Sequence, residues 1–202
     1  MKNLCGWLLT GVAIVFFAPP AGAHFRLLEP QSWVVESNLG DPQKLGPCGG
    51  NADGSETPTN AVNKVRGGQL LHIKVQETIF HPGHYRVALA VNSRSEFPPD
   101  AEVKTRDTDQ GPWSVSSPIA TPPKNPVLAD GLFVHTTRAT EPFETDVQLP
   151  NIHCEKCIVQ IEEFMAEHGY NHPGGYFYHH CAVLQITPDP AKTIDSRWPA
   201  AQ

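Results

Sequence analysis

Apolar residues recur at every second position in four stretches of the chain. Leu71, Ile73 and Val75 alternate with His72, Lys74 and Gln76, and Tyr85, Val87, Leu89 and Val91 alternate with Arg86, Ala88 and Ala90. Phe143, Thr145, Val147 and Leu149 alternate with Glu144, Asp146 and Gln148, and Ala182, Leu184 and Ile186 alternate with Cys181, Val183 and Gln185. A period of two is the signature of a strand with one face against a core. Cys157 to Met165 carries the same pattern less regularly, and Leu132 to Val134 predicts a short further strand. Residues 96–130 hold Pro98, Pro99, Pro112, Pro118, Pro122, Pro123 and Pro126, which predicts a long decorated loop. No amphipathic helix longer than two turns and no internal repeat is visible. Short strands between turn signals predict an all-β fold, an antiparallel immunoglobulin/fibronectin-like β-sandwich with long loops. The sandwich is expected over 24–188, with 189–202 as a surface strap or a disordered tail.

The first 23 residues stand outside that pattern. Lys2 precedes an apolar run from Leu8 to Phe17, and Ala21-Gly22-Ala23 has the small residues of a cleavage site. The run is too short to span a bilayer, so 1–23 is expected to be a secretory signal peptide, leaving a protein that is secreted or periplasmic. No second long apolar run follows, so no membrane segment is expected in the mature chain. Removal of the leader would leave 179 of the 202 residues and take the formal charge from −6 to −7. That charge argues against nucleic acid as a partner, since a phosphate backbone needs a basic footprint. Nothing in the sequence demands an oligomer, and a monomer is expected.

Four cysteines remain after cleavage: Cys48, Cys154, Cys157 and Cys181. An even number in an exported chain implies two disulfides, with three connectivities open. The pairing Cys154–Cys157 closes a small loop and leaves Cys48–Cys181 to tie the N-terminal region to the last strand. A zinc site built from Cys154, Cys157 and His153, His179 or His180 is the rival, disfavoured in an oxidising compartment.

Ten histidines make metal chemistry the next question. Cleavage after Ala23 would make His24 the first residue, giving it two nitrogen donors, the α-amine and the imidazole, able to chelate one ion in a six-membered ring. The ordinary pKa of an α-amine, about 8, lets it bind near neutral pH. An all-nitrogen set suits copper(II) better than calcium or magnesium. A second ligand is expected on a turn that leads into a strand, and His81-Pro82-Gly83-His84 is such a turn, with His81 and His84 both candidates. Near the C-terminus, His172-Pro173-Gly174-Gly175-Tyr176-Phe177-Tyr178 leads to His179-His180-Cys181, and a bridged Cys181 would hold Tyr178 rigidly.

A mature N-terminal histidine, a His-x-Gly turn into a strand and Tyr-x-x-Cys at the last core strand together resemble the lytic polysaccharide monooxygenases. The opening His24-Phe25-Arg26-Leu27-Leu28-Glu29-Pro30 is also similar, and Cys154-Glu155-Lys156-Cys157 is similar to a bacterial monooxygenase-like branch. The resemblance spans the mature chain through short anchors. It implies one copper ion held by His24 and His81, an axial Tyr178, and oxidative cleavage of chitin, cellulose or another polysaccharide with an external electron donor. Two positions depart from the pattern. Tyr176 stands where the fungal enzymes have a glutamine that helps position oxygen, and His84 stands where their turn has a proline. His172, six residues before Tyr178, is the nearest candidate for their second-sphere histidine, at a different spacing. Glu162, Glu163 and Tyr176 are further candidates to support the ligands.

Other chemistries fit less well. Glu162 and Glu163 are adjacent on a strand and point to opposite faces, which disfavours a glycosidase pair. His179 and His180 likewise cannot both face one site. No nucleophile elbow, zincin helix, phosphate loop or dinucleotide fingerprint is present. Two readings besides the enzyme stay open: a brace-type copper carrier or sensor without glycan turnover, and a β-sandwich binding module in which His24 has no metal role.

Overall fold

In the computed structural model, residues 24–201 are described, and the expected leader, 1–23, lies outside them. Ten strands follow in order: β1 (His24–Glu29), β2 (Asn63–Arg66), β3 (Leu70–Ile79), β4 (Gly83–Ala90), β5 (Lys104–Thr108), β6 (Gly111–Ser116), β7 (Val127–His135), β8 (Phe143–Gln148), β9 (Cys154–Met165) and β10 (Phe177–Thr187). A single 3-10 turn at Arg94–Glu96 is the sole helical element among the described residues. One sheet has the order β1-β3-β8 and the other β2-β10-β9-β4-β7, while β5 and β6 form a separate hairpin. Every pair is antiparallel except β2 with β10, which run parallel.

The two sheets pack face to face. Leu71, Ile73 and Val75 of β3 meet Tyr85, Val87 and Leu89 of β4, Val159, Ile161 and Met165 of β9, and Tyr178, Ala182, Leu184 and Ile186 of β10 in one buried cluster. These are the alternating positions expected from the sequence. The alternation is weaker in β9 because its other face is buried as well. Loop residues, among them Cys48 and Phe97, cover Ala88, Ala90 and Cys181 on the outer side of the larger sheet. A strand covered on both faces has little need of polar residues.

Both disulfides form as Cys48–Cys181 and Cys154–Cys157. The first fastens the covering loop to β10, where Trp33 adds two bonds, from its backbone N to the Cys181 carbonyl at 3.0 Å and from Nε1 to the Cys48 carbonyl at 2.8 Å. With all four cysteines oxidised, the zinc-thiolate alternative has no ligands. The segment after Pro188 runs as a strap. The Asn151 carboxamide donates to the carbonyls of Asp189, Lys192 and Thr193, and Trp198 reaches into the main core.

A buried acid fixes the first strand. Glu36 accepts from the Leu27 backbone N at 3.2 Å and sits 3.3 Å from His180 Nδ1, while His180 Nε2–H donates to the Phe25 carbonyl at 3.1 Å. Burial raises the Glu36 carboxyl to about 7 and lowers the His180 imidazole to about 4, so between these values the pair is held without net charge. A folded pKa above the ordinary 4.5 means that stability from this group is complete below about pH 4.5 and is lost as pH rises through 7. Glu36→Gln, which keeps the neutral shape, is expected to match the parent at low pH. Above pH 7 it should be more stable by roughly 2–3 kcal/mol. Urea midpoints measured across this range check it, and a constant difference between the two proteins would refute it.

Candidate metal centre

His24 opens β1 on the edge of the smaller sheet. Its backbone is opposite Ile79 of β3, two residues before His81, and its carbonyl accepts from Thr78 Oγ1 at 3.0 Å. The register therefore brings both histidines to the same end of the sandwich. The 37–43 loop closes over this strand. Gly40 lies so near β1 that a side-chain carbon there would sit 1.9 Å from the Phe25 carbonyl oxygen, and its φ of +100° also demands glycine. Gln43 Oε1 then accepts from Phe25 N at 3.0 Å.

This loop delivers Asp41. Its Oδ2 lies 3.2 Å from His24 Nε2, and the bond to that imidazole holds the Asp41 carboxyl below the usual range, against the opposing effect of burial. A proton kept on Nε2 leaves the lone pair on Nδ1, the ring nitrogen that can close a six-membered chelate with the α-amine of the same residue. Asp41 is thus placed to fix ring and tautomer should His24 hold a metal. Nothing in the local sequence marks it, because it is 17 residues away on a loop.

Tyr178, fully buried on the inner face of β10, meets the His24 ring edge-on at 5.2 Å between centroids. Asn171 Nδ2 donates to its hydroxyl at 2.7 Å, and burial pushes the phenol well above its ordinary pKa. Tyr178 therefore stays a neutral wall beside His24.

His81 follows β3 on the Pro-Gly turn. Its backbone N donates to Glu77 Oε1 at 3.2 Å, the same oxygen that takes His135 Nε2 at 2.9 Å. Gly83 is required two residues later, since a Cβ would lie 2.0 Å from the Phe164 carbonyl oxygen. The His81 ring meets His168 edge-on at 4.7 Å. His168 Nδ1 is engaged by the Gly169 carbonyl, and its backbone is clamped by Ser114 of β6, whose N donates to the His168 carbonyl at 2.9 Å. His168 lies in the turn after β9, a segment without strand periodicity, so its link to His81 appears only in the fold.

The remaining candidates separate. His84 points to the outer face of the larger sheet, against Phe164 at 5.2 Å, on the opposite side from Tyr178. Burial lowers its pKa and keeps it neutral. His172 lies exposed in the 169–175 loop with its ring 4.7 Å from Tyr170. Tyr176 donates to the Pro112 carbonyl at 3.0 Å and packs against Tyr170 at 5.4 Å. Tyr170, 52% exposed, thus stands between two rings on the loop whose Asn171 bonds Tyr178. Glu163 faces inward beside Tyr85 and Tyr178 in cross-strand register, its carboxyl held neutral by burial and by the nearby Glu77 charge. Glu162 faces outward.

The donor chemistry here, two imidazoles and an α-amine once His24 is first in the chain, fits a copper ion, with a carboxylate on one outer nitrogen. If it does, Asp41→Ala should weaken Cu(II) binding by roughly 10–100-fold, as lost outer-shell partners do. A competitive chelator titration would read this, and an unchanged affinity would remove Asp41 from the site. In comparisons with known proteins, no family model matches the chain and no curated protein matches it.

Proposed function

We propose that the protein is an exported copper protein whose His24 and His81 form a histidine brace, and that it acts in oxidative cleavage of polysaccharide glycosidic bonds. The observation that carries the reading is the tautomer-fixing bond from His24 Nε2 to Asp41 beside Tyr178, at the end of the sandwich that also holds His81. His24 binds through its α-amine and Nδ1, and His81 through its imidazole. Copper, when bound, supplies one-electron redox chemistry and activation of dioxygen or peroxide, with electrons from an external donor. Tyr178 excludes water from one side and keeps its proton there. His168 and Glu77 hold the ring and the backbone of His81. Tyr170 and His172 offer exposed ring faces on which a sugar can stack. Export agrees with the two disulfides. No helix among the described residues is long and apolar enough to cross a membrane.

Incubation of the copper-loaded protein with chitin, cellulose, xylan or starch and a reductant, followed by mass spectrometry, tests the enzymatic half. Oxidised oligosaccharides are expected from at least one polymer. One observation favours a second reading, copper carriage without turnover: Tyr176 stands two residues before Tyr178 with its hydroxyl committed to Pro112. A tight copper site that releases no oxidised product from any polymer would establish that reading instead.

A further inference from the structure

The outer face of the larger sheet carries a second constellation that the brace does not use. His179 of β10, Glu162 of β9 and Arg86 of β4 are neighbours in register across three strands. Alternation puts them on the side away from Tyr178. The loop after Phe97 lays Asp100 over them. His179 Nε2 lies 2.9 Å from Asp100 Oδ1 and 3.8 Å from Glu162 Oε2, and the Arg86 guanidinium reaches the same Glu162 oxygen at 2.5 Å.

We infer that Asp100, Glu162 and His179 form a binding site for a divalent transition cation of the zinc type, which pins the 97–103 loop to the sheet. The three ligand atoms lie within 4.8 Å of one another. Ligands about 2.0–2.1 Å from a tetrahedral zinc are separated by roughly 3.3 Å, and the two spacings from His179, 2.9 and 3.8 Å, bracket that value. One imidazole with two carboxylates is a borderline donor set. Calcium and magnesium prefer oxygen alone, and zinc accepts the mixture.

The surroundings fit a cation. His179 is fully buried and Glu162 is 2% exposed, whereas the Asp100 side chain is 41% exposed and gives an ion its way in. Two carboxylates here share one guanidinium and one imidazole. Glu162 also borders a cavity of about 10 Å³, room for a single water molecule. Arg86, nine-tenths buried, lines this cavity with its Nε–H unmatched, and Ser117 Oγ, also unmatched, lines it too. A water held there by Arg86 and Ser117 would lie beside Glu162.

The test uses the mature chain beginning at His24, first given one equivalent of Cu(II), then dialysed against Zn(II) and analysed for both metals. The parent is expected to retain one zinc that Asp100→Asn and Glu162→Gln lose, with zinc affinity at least tenfold lower and copper content unchanged. Zinc should also raise the melting temperature of the parent and of neither variant. Both substitutions keep an acceptor for the existing neighbour, so the fold is preserved. No zinc retained by the parent, or equal zinc in the parent and either variant, overturns the inference. Should copper fail to bind, zinc at His24 would add an equivalent common to all three proteins, and the difference among them would still report on this site alone.

Discussion

Replacing Cys48 and Cys181 together by alanine is expected to lower the unfolding free energy by about 5 kcal/mol, from the entropy of a closed loop of this length. The bridge spans 133 positions in sequence, and both its halves are fully buried. It joins the loop that carries Gln43 and Asp41 to the strand that carries Tyr178, so its loss should also loosen the approach of Asp41 to His24. Removing Cys154–Cys157, which spans only three positions, should cost about 2 kcal/mol on the same reasoning. Denaturant midpoints with matched slopes separate the two. Equal losses would mean that the covering loop is held by its packing and hydrogen bonds, with the long bridge adding little.

His81→Ala should weaken Cu(II) binding by more than about 100-fold, beyond what outer-shell substitutions cost. His84→Ala should leave it within roughly threefold. The two residues share one turn, but β4 begins at Gly83 and its side chains then alternate. Tyr85 enters the core, so His84 goes to the outer face with Phe164 and Arg86. His81 precedes the strand and meets His168 instead. A chelator competition on both variants decides it. The opposite ranking would place the metal on the wrong side of the sheet for His24 and dismantle the proposed site.

The alternation that disposes of His84 was legible in the chain. The same period of two put Glu162 and Glu163, and His179 and His180, on opposite faces, and the structure has them so. The core strands were legible for the same reason, since one face of each is apolar. β1 and β2 were not. β1 is short, and β2 owes its place to a parallel pairing with β10, which no local pattern encodes. β5 and β6 lie within the Pro-rich stretch read as loop, where exposed hairpin residues show little apolar repeat. In the candidate site, His24 is marked by its place after Ala23, and His81 and Tyr178 by the resemblance. Asp41, His168 and Asn171 did not, because each acts from a loop that only the tertiary fold brings near. His172 enters only through the resemblance, as the nearest match to a second-sphere histidine, whereas the fold sets it against Tyr170 on the exposed loop and puts His168 against His81.

The brace rests on His24 being the first residue, because only a free α-amine can join its imidazole on one ion. The direct measurement is an EPR titration with Cu(II) of two proteins, one beginning at His24 and one keeping Ala23 ahead of it. The brace requires a single tight type-2 copper signal in the first and its loss in the second. Identical spectra and affinities in both, or no specific site in the first, would contradict it.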